Sequence, residues 1–266
     1  MRPPTGKATQ MRGVNSKHPP GTVGLAAAML PRFWEFILSM EYVEAPHGSI
    51  LSLCRGCDIA ANFNRGVTTM KGDWIWFMGD DHTFPPDTLL RLLDHEVDVV
   101  VPIAPVKVAP YMPCVMRGPY KPTMDLYEWS ELSEPGLYAL PEGDFIGQAG
   151  MLVRKPVLDR IGYPWFRGGQ FDAGRLQEDL DFCKRLQEFG YTVWIDRDIV
   201  LGHTFHNTIK ARRDANGVYQ PRLISGGVEV ELAGMTRVVQ ADVTVGDPVR
   251  PPLRWMKGED IGRMSA

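Results

Sequence analysis

The sequence predicts an α/β protein in which a mostly parallel sheet is flanked by helices and followed by a small β-rich appendage at the C-terminus. Strand-length and helix-length apolar patterns alternate between residues 22 and 103, which is typical of parallel sheets with helical crossovers. One run, residues 74–78, is apolar at every position, as in a strand buried on both faces. After one glycine it is followed by Asp80, Asp81 and His82, at the strand end where open α/β sheets hold their ligands.

The composition is that of an ordinary globular protein. The chain has 266 residues, 44% hydrophobic and 23% charged, which suits one large domain or one domain with an appendage. A formal net charge of −3 and a pI near 6.1 exclude a global basic field for sequence-independent nucleic-acid binding. No apolar run approaches the roughly 20 residues that span a bilayer, and the N-terminus lacks the apolar core of a signal peptide. We therefore expect a cytoplasmic protein without a membrane span.

Three segments are expected along the chain. Residues 1–20 are rich in proline, glycine and polar side chains, and we predict a flexible N-terminal arm. Residues 21–207 are expected to form the α/β domain. Residues 208–266 are expected to form a C-terminal appendage and tail, because valine and glutamate alternate around 228–240.

The elements of the α/β domain follow from local patterns. In order, we predict strands at 22–28, 49–53, 74–78, 97–103, 144–153, 191–195 and 199–203, and helices that begin at Pro31, Asp58, Pro86, Pro156 and Gln177. Residues 104–143 are rich in proline and are expected to be extended edges and loops, where substrate contacts commonly lie. The strand at 144–153 contains two glycines, which indicates close approach of backbone or ligand.

The acidic strand end suggests a metal site. Carboxylates with a nearby imidazole suit Mg²⁺ or Mn²⁺. The alternative is an Asp-rich turn that caps the next helix, because Pro85, Pro86 and Asp87 resemble a helix start and turns favour aspartate for local reasons.

Two cysteines, Cys54 and Cys57, have the spacing of a redox or metal motif. A structural zinc site would need a second pair, and neither Cys114 nor Cys183 has a cysteine or histidine at close spacing. Small buried residues beside a loop are the simpler interpretation.

Three separated motifs resemble the family 2 glycosyltransferases with the GT-A (Rossmann-like) fold, over about residues 20–207. Residues 76–87 resemble the metal-binding strand end of that family and the helix after it. Residues 146–151 resemble the segment that lines the donor sugar and acceptor, and residues 178–183 resemble the Glu-Asp motif.

The resemblance implies a transferase that moves a sugar from a nucleotide-diphosphate sugar, most often a UDP- or GDP-sugar, to an acceptor hydroxyl with inversion. It implies a divalent cation, Mn²⁺ or Mg²⁺, on the diphosphate, where a cation stabilises the charge of the departing group. Asp179 is then the candidate general base, with Glu178 positioning substrate or base. The acceptor is not identified.

Further roles are implied by the same resemblance. Candidate metal ligands are Asp81, Asp80, His82 and His203; candidate donor-binding residues are Asn64, Asp80, Gly147, Gln148 and Gly150; and candidate acceptor-binding residues are Trp165 and Phe166. The two aromatic rings could stack on an acceptor ring or pack in the core.

The chain departs from the family pattern at two places. The usual acidic signature would place carboxylates at Gly79 and Asp81, so the first is missing. Either Asp80 replaces it, or Asp80 and His82 are the outer pair of a shifted Asp-x-His motif that resembles that of the polypeptide GalNAc-transferases. Where family members often carry Arg-Asn near the base, this chain has a phenylalanine before Asn64, which leaves the base undetermined.

Ordinary structural roles compete with these functional ones. A lone histidine such as His203 is often a satisfied structural residue, and Glu178 and Asp179 would complement a helix dipole without any function. A nucleotidyltransferase is a rival reading, but it would show a Gly-rich, basic loop after the first strand, and residues 26–31 contain no glycine. A noncatalytic binding module on the same scaffold is the rival from another class.

Overall fold

A computed structural model describes residues 8–27, 33–56, 58–107, 111–119, 125–167, 177–205, 207–213, 219–225 and 228–231, the last three ranges through their backbone. The predicted helix start at Pro31, the predicted strand end at 28, and Cys57 lie outside these residues.

Strands and helices alternate through the first half of the chain. The strands are β1 (Ala8–Gln10), β2 (Gly13–Val14), β3 (Thr22–Ala27), β4 (Ala45–Pro46), β5 (Ile50–Arg55), β6 (Trp74–Gly79), β7 (His82–Thr83), β8 (Val99–Ile103), β9 (Val115–Met116), β10 (Leu137–Ala139), β11 (Phe145–Ile146), β12 (Leu152–Arg154), β13 (Trp194–Val200), β14 (Gly202–His203), β15 (Asn207–Arg213), β16 (Tyr219–Ser225) and β17 (Val228–Glu231). The helices are α1 (Trp34–Tyr42), α2 (Ile59–Thr69), α3 (Thr88–Asp94), α4 (Lys155–Ile161) and α5 (Glu178–Glu188), with one 3₁₀ turn at Trp129–Leu132.

The main sheet has eight strands in the order β1-β5-β3-β6-β12-β8-β13-β10. Strand β3 pairs in parallel with β5 and β6, and β8 pairs in parallel with β13. Strand β12 lies between β6 and β8 and is antiparallel to both. The five long strands β5, β3, β6, β8 and β13 therefore run in one direction. The predicted α/β class with a mostly parallel sheet is confirmed.

Strand β6 is the centre of the sheet. Residues 74–78 are 0% exposed, which confirms burial on both faces. Ile75 and Phe77 point to the core cluster that contains apolar residues of α2, α4 and α5. Trp74, Trp76 and Met78 point to the opposite cluster, with residues of α1 and α3. The uniform apolar run is thus explained by helices on both sides of the sheet.

The N-terminal arm differs from its prediction, because residues 8–20 are attached to the sheet. Strand β1 pairs antiparallel with β5, with Ala8 opposite Ser52. The carbonyl oxygens of Pro19 and Pro20 accept hydrogen bonds from the Trp74 indole at 2.9 Å and the Asp73 amide at 3.2 Å. Main-chain hydrogen bonds hold this segment, so its lack of apolar side chains was a poor guide to its order.

The strand predicted at 144–153 is in fact two strands with different partners. Strand β11 pairs with β9, and β12 pairs with β6. Residues 147–151 form a turn between them, in which Gly150 has a φ of 72°. Because positive φ is easily adopted only by glycine, Gly150 marks the break between the two strands rather than a bulge within one.

The chain separates into two compact units. The first runs to Thr208 and includes Ile224–Glu229, and the second begins at Ile209. Strands β15, β16 and β17 form a three-stranded sheet, in that order, so the described part of the predicted appendage is β-structure. Among the described residues, no helix has the length and apolar character needed to cross a membrane.

Candidate active site

A carboxylate and two imidazoles meet at the end of the central strand. The short strands β7 and β14 pair antiparallel and place His82 opposite His203. The two rings stack with centroids 4.3 Å apart. The carboxylate of Asp81 lies beside both rings, with Oδ1 3.0 Å from His82 Nδ1 and Oδ2 3.7 Å from His203 Nε2. One ligand atom from each residue can be chosen so that all lie within 4.8 Å of one another, a spacing that could hold a metal ion.

Each of the two histidines has a ring nitrogen that could bind a metal. Nδ1 of His203 donates to the carbonyl of Pro105 at 2.7 Å, which in the neutral ring leaves a lone pair on Nε2, the atom nearer Asp81. His82 is buried, and neither of its ring nitrogens has a partner of normal hydrogen-bond geometry in the described part of the chain. Burial lowers the pKa of His82 despite the opposing charge of Asp81, so the ring is neutral and able to donate a lone pair.

Asp81 is held in its ionised form. Burial alone would raise its pKa, but the polar groups of His203, His82 and Lys107 beside the carboxylate outweigh burial and hold the pKa well below its usual range. The ammonium of Lys107 lies 2.5 Å from Asp81 Oδ2. The sequence analysis missed Lys107. The available signal was its place just after β8, because the carboxyl ends of parallel strands meet at one edge of the sheet.

The structure gives a steric reason why Gly79 stands where the family's acidic signature has its first carboxylate. A Cβ atom at this position would lie 2.9 Å from Asp81 Oδ1, so a side chain here would displace that carboxylate. Asp80 is 3% exposed and is not part of the cluster found among the described residues. The cluster consists of Asp81, His82 and His203, and the roles of Asp80 at the metal and the donor stay predictions.

A second group of predicted residues lies at the turn 147–151 and the start of α5. A Cβ on Gly147 would lie 3.7 Å from Asp179 Oδ2, which places the turn beside this carboxylate. Gln148 is 5% exposed, and among the described residues neither polar atom of its side-chain amide has a hydrogen-bond partner. Buried amides are almost always paired, so an unpaired one indicates an absent water or ligand.

The turn is fixed to the central strand. The indole of Trp76 donates to the carbonyl of Gly150 at 2.8 Å, and the amide of Phe77 donates to the carbonyl of Met151 at 2.9 Å. A Cβ on Gly150 would lie 2.8 Å from the ring of Pro102. The turn itself therefore requires glycine at position 150, and the donor contact of Gly150 stays a prediction.

Asp179 has the electrostatics of a general base. Burial, followed by the charge of Glu178, raises the pKa of Asp179 to about 6, although backbone amides, including that of Leu180, act in the opposite direction. Burial also raises the pKa of Glu178. A carboxylate with a pKa near neutrality is a stronger base than an ordinary one and is still ionised at pH 7.

The thiol of Cys114 lies against the same turn. A Cβ on Gly147 would come within 2.7 Å of its Sγ, which explains why this position is glycine. Burial and the charge of Asp179 raise the pKa of Cys114 to about 12, so the thiol is neutral and a poor nucleophile. Cys54 is buried, which fits the structural interpretation of that residue.

Two predicted ligand residues make structural contacts. Oδ1 of Asn64 accepts from the amides of Trp165 and Phe166 at 2.9 and 3.1 Å, and its Nδ2 donates to the Phe166 carbonyl at 2.8 Å. Its side chain therefore clamps the 165–166 loop, and its role at the nucleotide stays a prediction. Phe166 is 2% exposed and packs on aromatic rings of the core, the alternative that the sequence analysis also gave, and its acceptor contact stays a prediction. Trp165 is partly exposed, with its indole donating to the Leu158 carbonyl, and its acceptor role stays a prediction.

Comparisons with known proteins give a family for part of the chain. Residues 46–124 match the family described as Glycosyl transferase family 2. No curated protein matched the chain. Among solved structures, A197 from STIV is similar with 11% sequence identity and a TM-score of 0.48, over 74% of this chain and 91% of that one. GalNAc-T7, in a structure with UDP, GalNAc and Mn²⁺, is similar with 8% identity and a TM-score of 0.49, over 74% of this chain and 44% of that one.

The matched segment contains only some of the candidate active-site residues. It includes Asp81, His82 and Lys107, whereas Asp179 and His203 lie beyond it. The predicted resemblance to the family 2 glycosyltransferases is thus confirmed for the segment 46–124.

Proposed function

We propose that the chain is a metal-dependent, inverting glycosyltransferase that uses a nucleotide-diphosphate sugar, with UDP- and GDP-sugars as the first candidates. The observation that carries this proposal is the cluster of Asp81, His82 and His203, in which the buried ring of His82 lacks a conventional hydrogen bond among the described residues. The family of residues 46–124 supports the same reaction class.

The donor set of this cluster fits a divalent transition metal. Asp81 offers a carboxylate that is ionised, and His82 and His203 offer imidazole nitrogens. Mixed oxygen and nitrogen ligands favour Mn²⁺ over Mg²⁺, which prefers oxygen alone. When bound, the cation would neutralise charge on the diphosphate as it departs.

The proton of the acceptor goes to Asp179 in this proposal. The acceptor oxygen forms a bond to the anomeric carbon from the face opposite the diphosphate, whose bond to that carbon breaks with both electrons. Asp179 removes the hydroxyl proton during this step, and its pKa of about 6 keeps it ionised at neutral pH. Glu178 supports this role, because its charge raises the basicity of Asp179.

Gln148 is the proposed contact to the donor sugar. Its amide is buried beside Gly147 and carries both a donor and an acceptor without partners among the described residues. A sugar hydroxyl both donates and accepts, so one hydroxyl pair would satisfy both ends of this amide. The backbone of Gly147 lies against Cys114 and Asp179. The turn that carries Gln148 is therefore close to the proposed base, and both could contact the same bound sugar.

The proposal is tested by ligand-dependent stability and by turnover. UDP, GDP, CDP and dTDP are added with and without Mn²⁺, and the melting temperature is measured. A ligand at about 100 times its dissociation constant adds about 2.7 kcal/mol. We expect stabilisation by one nucleotide only when Mn²⁺ is present, loss of that effect in Asp81→Asn, and release of nucleoside diphosphate from the corresponding donor.

Two variants separate catalysis from binding. Asp179→Asn should retain the Mn²⁺-dependent nucleotide effect but lose transfer, because it removes only the base. Asp159→Asn is the matched control, since this exposed carboxylate pairs with Lys155 on α4, and it should change neither property. Nucleotide binding without turnover in the unchanged chain would favour a binding module, and release of pyrophosphate would favour a nucleotidyltransferase; either result overturns the proposal.

A further inference from the structure

We propose that the ammonium of Lys107 has two successive partners in the donor site. It neutralises Asp81 before the divalent cation binds, and it contacts the donor diphosphate afterwards. This inference rests on the proposed function. It begins with the contact of the Lys107 ammonium with Asp81 Oδ2. The same oxygen faces His203 Nε2 at 3.7 Å, so the ammonium lies on the carboxylate oxygen that a metal bound to His203 would also contact.

The backbone before Lys107 is tied to the site. The Pro105 carbonyl accepts the hydrogen bond from His203 Nδ1 at 2.7 Å. The amide of Val106 donates to the Met112 carbonyl, and the amide of Cys114 donates to the Ala104 carbonyl, both at 2.8 Å. The backbone just before Lys107 is thus fixed by hydrogen bonds, on one side to the candidate metal ligand His203 and on the other to residues 112–114.

The side chain of Lys107 is free to change partners. Its exposed fraction is 32%, against 12% for the side chain of Asp81. A lysine has four flexible methylene groups and an ammonium that binds phosphate as a point charge. A small rotation about these bonds would carry the ammonium away from the carboxylate while the backbone stays in place.

Charge balance gives the reason for such a change. The carboxylate of Asp81 and a divalent cation together carry a net charge of about one positive. A donor diphosphate brings about two negative charges and gains another as it departs. The positive charge of Lys107 would bring this group of charges to neutrality. Its ammonium already lies beside Asp81, and there it would stabilise the extra negative charge of the leaving group.

The divalent cation and the ammonium compete for the same carboxylate. Both would need to lie within bonding distance of Asp81 Oδ2, where two positive charges repel strongly. Metal binding is therefore coupled to release of Lys107. A purely structural ion pair between Lys107 and Asp81 would compete with the metal in the same way but would not contribute to nucleotide affinity, and this difference makes the inference testable.

The test measures Mn²⁺ and UDP binding separately in the full chain. Binding of Mn²⁺ alone is followed by the electron paramagnetic resonance signal of the free ion, and binding of UDP at saturating Mn²⁺ by calorimetry, with GDP as the alternative probe. Lys107→Met should bind Mn²⁺ alone roughly threefold or more tightly, because the competing charge is gone. It should bind the nucleotide about tenfold or more weakly, because a charge-assisted contact is lost.

Two further variants complete the experiment. Lys107→Arg keeps the charge and should keep nucleotide affinity within about threefold of the unchanged chain. Lys155→Met removes an exposed lysine of α4 and should move neither affinity. Parallel loss of Mn²⁺ and UDP binding in Lys107→Met, or an unchanged UDP affinity, overturns the role of Lys107 and leaves the proposed function intact. Absence of Mn²⁺-dependent binding of either nucleotide in the unchanged chain overturns both.

Discussion

Replacement of Asp179 by asparagine should stabilise the folded protein while it removes the base. An acid whose pKa is higher in the folded state than in the unfolded state binds more protons when folded, so stability falls as the pH rises from the unfolded pKa to the folded one. For Asp179 these values are 3.8 and about 6. Above this range the carboxylate is ionised in both states, and its full unfavourable contribution is present.

The size of the effect follows from the two pKa values. A separation of about two pKa units, at about 1.4 kcal/mol each, corresponds to about 3 kcal/mol at pH 7 and above. Asparagine has the same shape but carries no charge, and its Oδ1 can still accept the hydrogen bond that Leu180 donates at 2.8 Å. We expect the variant to gain up to about 3 kcal/mol near pH 7.5 and only about 1 kcal/mol near pH 4.5.

Urea unfolding at the two pH values, without ligand, measures this difference. Asp181→Asn is the matched control, because Asp181 lies in the same helical turn but makes two 3.0 Å hydrogen bonds with Arg167. That variant should lose a little stability near pH 7.5, the opposite sign to Asp179→Asn. An Asp179→Asn protein that is no more stable than the unchanged chain at either pH would refute the electrostatic reasoning and, with it, the assignment of Asp179 as a base of raised pKa.

Three more outcomes are expected. The acidic limb of kcat/KM against pH should have its midpoint near pH 6, and Glu178→Gln should move it roughly half to one unit lower, because a like charge beside Asp179 is removed. Asn64→Ala should lower the free energy of urea unfolding by about 2–4 kcal/mol, because the variant loses a loop clamp. Gly79→Asp should weaken Mn²⁺ binding measured by paramagnetic resonance, because the new side chain displaces Asp81; tighter binding would contradict the steric account.

Local chemistry accounts for what the sequence could predict. The strand at 74–78 was recognisable because each of its side chains is apolar, which only a position between two helical layers explains. His203 could be connected with the acidic strand end through its place after a closing strand, and the pairing of β7 with β14 brings it there. These features depend on residues whose pattern is visible over a few positions.

Contacts between distant segments could not be predicted in this way. Lys107 reaches Asp81 from the end of another strand; its place after β8 puts it at the same edge of the sheet but does not show which side chain it contacts. Asn64 contacts a loop about a hundred residues away, and its own neighbours in the sequence do not show this contact. The arm at 8–20 is held by backbone hydrogen bonds, which side-chain composition does not report.

The attachment of the 147–151 turn to Trp76 and Phe77 limits how the donor preference that we propose for this turn can change during evolution or design. The turn shares hydrogen bonds with the most deeply buried strand, so its backbone is as rigid as the core and cannot be remodelled without repacking that core. Side-chain exchange at Gln148 leaves those hydrogen bonds intact. Libraries that seek a new sugar preference should therefore vary position 148 and keep Trp76 and Gly150 fixed, because preference can then be changed without loss of the scaffold.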